Sequence, residues 1–195
     1  MNARLTVCLL LFSFFNTSLW SQQPPSIGLR VPAFTVELMN EKKILELDSI
    51  DKEKIIVIEF WATWCVPCLK AFPHFNELQE KFKNKPVMFL SVTYERNNEK
   101  LIAFLEKHPI KTLVATDINL KMFKDYAAWA IPQTLIIDKN RNLVVSIHPE
   151  KITAEIIQDV LDGKKIDIKE NGKQAYFDPK GAEEYFRKLE KEGKN

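Results

Sequence analysis

Ile55-Ile56-Val57-Ile58-Glu59-Phe60 is a nearly unbroken β-branched run, and it is followed closely by a cysteine pair, Cys65 and Cys68. A strand apolar on both faces has to be covered on both, as at the centre of a parallel or mixed sheet. Past the cysteines, Leu69, Phe72, Phe75, Leu78 and Phe82 recur at three- and four-residue steps, the period of one helix face. The chain therefore calls for a core strand, a tight turn and a helix in that order, with the cysteines at the junction.

The flanking segments fit around that unit. Gly28 to Val36 begins as a turn and ends as an alternating strand, and Ile44 to Leu47 returns after a polar turn, which predicts a hairpin. Val87 to Thr93 reads as a second buried strand, Asn98 to Lys107 as a helix with Leu101, Phe104 and Leu105 inward, and Leu113 to Ala115 as a short strand. Leu120 to Tyr126 reads as a short helix. Thr134–Ile137 and Leu143–Ile147 flank the turn-rich Asp138 to Asn142 and predict an antiparallel hairpin. A last helix from Thr153 to Leu161 stops at Gly163. Strands alternating with helices and closing on a hairpin predict an α/β fold, with a mixed central sheet, helices on both faces and an N-terminal β-hairpin extension.

The 195 residues divide into three parts. Residues 1–21 run from Arg4 through an apolar stretch, Leu5 to Phe15, to the small Ser21, the order of a secretory signal peptide. The run breaks at Asn16, short of the roughly 20 apolar residues of a membrane span, so cleavage is expected over an uncleaved anchor. An exported protein of the periplasm or cell envelope follows, with a membrane-anchored form facing outside the cytoplasm as the alternative. Residues 22–163 form the expected domain. Residues 164–195 are a charged extension with a peripheral helix expected at 182–191, striped by Tyr185, Phe186 and Leu189. A net charge of +2, with lysines dispersed among acids, provides no basic field for nucleic acid.

Cys8 lies inside the apolar run and should leave with the signal, so the mature chain keeps one cysteine pair. A loop that short removes little entropy from the unfolded chain, which favours chemistry over stapling. A thiol at the first turn of a helix meets unpaired backbone N–H groups and the positive end of the dipole, both of which favour thiolate. Cys65 is accordingly the expected nucleophile, and Cys68, one turn on, the thiol that resolves a mixed disulfide. Pro67 suits the first turn, where its missing N–H is harmless. No zinc set is expected, because His74, His108 and His148 sit on different elements. Leu69 after the second cysteine excludes the c-type haem pattern.

Phe60-Trp61-Ala62-Thr63-Trp64-Cys65-Val66-Pro67-Cys68 resembles the active-site segment of the thioredoxin superfamily, most closely that of exported TlpA- and ResA-like thiol-disulfide oxidoreductases. The similarity extends from about Gly28 to Gly163 and implies a thioredoxin-like fold. It implies that Pro73 is the proline of the active-site helix and that Pro132 is cis and lies against the cysteines. It also implies that the backbone of Ile131 pairs with extended substrate. Glu59 stands where thioredoxins carry a buried acid. Its apolar neighbours predict a raised pKa and a proton-transfer role toward Cys68. Trp64 is expected at the substrate and Trp61 in packing.

The resemblance implies no cofactor beyond the redox-active Cys65–Cys68 disulfide, and as partners disulfide-bearing proteins and an upstream thiol donor. Val66-Pro67 supplies no histidine to stabilise a thiolate, which leans toward reductase over oxidase. Ala71 replaces an acid found in some relatives. Two other readings compete. A peroxiredoxin-like peroxidase has Thr or Ser three residues before its nucleophile, where this chain has Ala62. A redox-inactive substrate-binding module of the same fold would have no use for an intact cysteine pair.

Overall fold

The computed structural model describes residues 25–166 apart from Asn40, Lys42, Asn97, Asn98, Ile118 and Trp129, together with Arg187 and Lys188. The signal segment at 1–21 and, but for Arg187 and Lys188, the helix expected at 182–191 lie outside the described residues. In chain order the elements are β1 (Thr35–Leu38), β2 (Lys43–Glu46), β3 (Ile55–Phe60), α1 (Val66–Phe82), β4 (Val87–Thr93), α2 (Glu99–Lys107), β5 (Leu113–Thr116), α3 (Lys121–Asp125), β6 (Gln133–Ile137), β7 (Leu143–Ile147) and α4 (Ala154–Leu161).

Among the described residues the strands form one seven-stranded sheet in the order β2-β1-β5-β4-β3-β6-β7. β3 pairs parallel with β4 and antiparallel with β6, so it sits where the sheet changes sense. All six of its residues are buried, as an apolar run covered on both faces requires. Side-chain alternation splits the core in two. Ile56, Ile58 and Phe60 join Leu101 of α2 and Met122 and Phe123 of α3. Ile55 and Val57 join Phe75, Leu78 and Phe82 of α1 and Ile156, Ile157 and Val160 of α4. Helices therefore cover both faces, and the β1–β2 hairpin extends the sheet beyond β5, as the sequence pattern indicates.

The helix boundaries follow local chemistry. Thr153 caps α4 by accepting from the Ile156 N–H at 3.2 Å, and Gly163 closes it at φ 71°, a left-handed conformation in which glycine is unstrained. Helix α1 continues through Pro73, which lies on its exposed side, where the carbonyl left without a donor can meet water.

Arg141, in the β6–β7 turn, carries much of the end of the sheet remote from the cysteines. It is 4% exposed, and its guanidinium donates to the carbonyls of Ile50 (2.7 Å), Lys54 (3.1 Å) and Asp51 (3.2 Å), tying the segment that leads into β3. Replacing it by alanine strips three carbonyls of a charged donor and should cost about 2–4 kcal/mol in urea unfolding. Lysine should recover only part of this, because an ammonium cannot span the fork. Reactivity of the cysteines in the folded fraction should not change.

Candidate active site

At the end of β3 the chain turns tightly into α1, and the turn is the site. Cys65 is the N-cap of α1, with extended backbone (φ −83°, ψ 90°), and its Sγ accepts the Cys68 N–H at 3.3 Å. This is a sulfur placed against the unpaired donors of a helix start. Pro67 occupies the first turn. Cys65 and Cys68 are joined as a disulfide, S–S 2.02 Å, with Cα atoms 5.3 Å apart. Both are well covered, Cys65 at 3% and Cys68 at 0% exposure, while Trp64 and Val66 on either side of Cys65 are 56% and 59% exposed. Exposed apolar side chains thus flank Cys65, the less completely covered of the two cysteines. Trp61 lies inside, stacked on Phe104 (5.9 Å) and edge-on to Phe72 (5.2 Å).

Glu59 is completely buried, and neither carboxyl oxygen has a hydrogen-bond partner among the described residues. Burial pushes its carboxyl up to about 8, with the adjacent Ser91 offsetting a small part. By alternation with Ile55 and Val57 it points to the α1 side of β3. Helix α1 runs back along β3, so the second-last residue of the strand lies toward the helix start that bears Cys68. Its cross-strand neighbours are Ser91 on β4 and Thr134 on β6, and the Thr134 hydroxyl is also buried without a partner among the described residues.

The second segment at this end comes from the antiparallel return of β6. Gln133 pairs with Phe60, which brings the preceding Ile131-Pro132 to the cysteine end of the sheet. The Ile131–Pro132 peptide bond is cis. Pro132 is buried and Ile131 half-buried. Pro73 lies two turns along α1, away from this end. Among the described residues no three His, Cys, Asp or Glu side chains gather into a potential metal set.

Residues 27–146 match the model of the AhpC/TSA family, and a thiol-disulfide oxidoreductase ResA of Bacillus anthracis is 31% identical over 157 residues, covering 80% of this chain and 87% of the relative. The chain belongs to the AhpC/TSA family. A second relative, ResA of Bacillus subtilis (strain 168), is 26% identical over 80% of this chain and 86% of its own length. Among solved structures, the thioredoxin domain of a thiol-disulfide oxidoreductase from Bacteroides vulgatus superposes with a TM-score of 0.61, covering 70% of this chain and 98% of that one at 18% identity. That likeness shows a shared thioredoxin-like fold.

The structure also brings residues to this AhpC/TSA-family site that the sequence did not single out. Tyr94 and Glu95, just past β4, bond to Trp64 and Thr63. Thr134 flanks Glu59. A signal for the first pair existed in hindsight only: polar Tyr94 and Glu95 end a buried strand parallel to β3, where such strands deliver residues to a site. Nothing in the local pattern marks Thr134.

Proposed function

We propose that this chain is a dithiol reductase of protein disulfides acting outside the cytoplasm, with Cys65 attacking and Cys68 resolving. The observation that carries the reading is the Cys65–Cys68 disulfide at the N-cap of α1, with Cys65 flanked by exposed Trp64 and Val66.

In the first step the Cys65 thiolate attacks one sulfur of a substrate disulfide, the substrate S–S bond breaks, and one substrate thiolate leaves. Cys68 then loses its proton, to Glu59 when that carboxyl is ionised or otherwise to water, and its thiolate attacks the Cys65 sulfur. The enzyme disulfide forms, the second substrate thiolate departs, and the substrate has gained two electrons. An upstream dithiol protein reduces the pair again by the same chemistry in reverse. Trp64 supplies an apolar contact for the substrate, and the backbone at Ile131 supplies a strand-like edge beside Pro132. Val66-Pro67 gives the thiolate no added stabilisation, which supports the reductive direction. No cofactor is required for dithiol exchange.

Insulin reduction coupled to a small dithiol tests the activity, and failure of the wild-type protein to accelerate it would sink the reading. Location is tested separately. The mature protein should begin near Gln22 and fractionate with the envelope, because the apolar run is short and ends at small residues. An intact Met1 on a membrane-bound product would favour the anchored form.

A further inference from the structure

The loop carrying Cys65 belongs to no helix or strand, so what holds it decides where the nucleophile sits. Its start is tied by the Trp61 N–H to the Val92 carbonyl (3.0 Å), and Cys65 is tied back to Ala62 (3.0 Å). The middle is held by one side chain. Glu95 takes the Thr63 backbone N–H on Oε2 (2.7 Å) and the Thr63 hydroxyl on Oε1 (2.6 Å). Oε2 also accepts from the Thr93 hydroxyl at 3.2 Å, and the Glu95 N–H donates back to that hydroxyl at 3.2 Å, which fixes the carboxylate against its own strand. The neighbouring Tyr94 repeats the arrangement one residue along, its hydroxyl accepting the Trp64 indole N–H at 2.8 Å. Tyr94 is itself 4% exposed and packs edge-on against Phe123 (5.3 Å). Two consecutive residues beyond β4 thus grip the two consecutive residues before Cys65.

We propose that Glu95 is a positioning residue for the nucleophile, acting through Thr63, with Tyr94 setting the orientation of Trp64 beside it. Charge-assisted bonds from a carboxylate to a backbone N–H are strong and directional. Here they fix the backbone two residues from Cys65, on an element anchored in the sheet. Thiol exchange needs the attacking sulfur aligned with the substrate S–S bond, and then the same sulfur aligned with Cys68. Both steps draw on the same clamp. The carboxylate's charge works the other way, since a nearby anion disfavours a thiolate. Glu95 therefore serves the site by geometry, and its bonding can be separated from its charge.

The proposal rests on Cys65 being the attacking thiol, and the test separates the two. Glutamine can keep both contacts, its oxygen accepting the Thr63 N–H and its amide donating to the Thr63 hydroxyl, which is able to accept. In rapid mixing of the reduced full chain with a disulfide peptide, Glu95→Ala should slow mixed-disulfide formation by about 10-fold or more, the scale on which misplacement of a reacting group is felt. Glu95→Gln should stay within about threefold of wild type, and Thr63→Val, which loses the hydroxyl contact but keeps the backbone N–H to Glu95, should fall between wild type and Glu95→Ala. The Glu95→Ala/Thr63→Val double variant should be no slower than Glu95→Ala, because that substitution already removes the hydroxyl contact that Thr63→Val removes. Glu95→Gln as slow as Glu95→Ala, or a double variant slowed by the product of the singles, overturns the clamp. If wild type itself leaves the peptide intact, the functional reading fails, and iodoacetamide labelling of reduced Cys65 in the same variants, with the same ranking required, still decides the clamp.

Discussion

Cys65→Ser should reduce turnover of a protein disulfide to the rate of the dithiol buffer alone, whereas Cys68→Ser should form the first bond at near wild-type rate and stop there. The asymmetry comes from the helix start. Cys65 caps α1, its sulfur accepts a backbone N–H, and it is flanked by the exposed Trp64 and Val66. Cys68 has no exposure at all. A serine at 65 leaves no thiolate that substrate can reach. A serine at 68 leaves a competent attacker whose product has no internal thiol to release it. Loss of that internal thiol is severe because well-placed intramolecular groups act at effective concentrations of about 10⁵ M or more, which external thiols cannot match. The Cys68→Ser product should run as a mixed disulfide on non-reducing gels and dissolve on adding dithiol. Faster labelling of Cys68 than Cys65 by iodoacetamide at mild pH would reverse the assignment.

Glu59→Gln should make the protein more stable and slower at the same time. A fully buried carboxyl pushed up to about 8 holds its proton in the folded state across a range in which the unfolded chain has lost it. The folded form therefore binds more protons, and stability falls as pH rises from the unfolded value of 4.5 through about 8, then levels. The shift corresponds to about 5 kcal/mol over that whole window and about 3 kcal/mol by pH 7, an order-of-magnitude scale set by the linkage relation. Glutamine carries no ionisation cost, so urea midpoints of the variant should lose that slope between pH 5 and 8.

The kinetic half of the prediction concerns Cys68. A carboxyl pushed up to about 8 is, once ionised, a far stronger base than a carboxylate in water, which suits it to take the proton that Cys68 has to lose. Release of the mixed disulfide should slow toward the low end of the roughly 10²–10⁴-fold range for positioned proton transfer, since water can substitute in part. In wild type, release should accelerate as pH rises through the Glu59 titration. Formation of the mixed disulfide should hardly respond to the substitution. Rapid-mixing kinetics that resolve the two steps across pH are decisive. Equal slowing of both, or of neither, would leave Glu59 a structural residue.

Much of this arrangement was readable because the strongest signals were local. The run Ile55–Phe60 could only be a covered strand, and the spacing of Phe75, Leu78 and Phe82 matched the stripe that α1 lays on it. Cys65 and Cys68 announced themselves by spacing alone. Burial of Glu59 followed from its neighbours. Period-based reading did not reach contacts made by unlike residues far apart in the chain. Thr63 and Glu95 are 32 positions apart and Arg141 and Ile50 are 91, and in each case a polar side chain meets backbone that no repeat identifies. Such pairings are set by how β4 and the β6–β7 turn lie in the sheet, which becomes definite only when the topology is known.

The antiparallel placement of β6 beside β3 also has a consequence in time. Cys65 and Cys68 leave the ribosome well before Ile131, which is 66 residues downstream of Cys65. Before β6 is added, β3 has an open edge and the thiols lack the segment that borders them in the finished sheet. During its own synthesis the chain is thus able to react before it is able to choose. A foreign disulfide attacked by Cys65 in that interval releases one thiolate and leaves a mixed disulfide, which Cys68, only three positions away and made almost at the same moment, can resolve by displacing the second thiolate. The short spacing of the two cysteines thus places a resolving group beside Cys65 before the segment that borders them has been made.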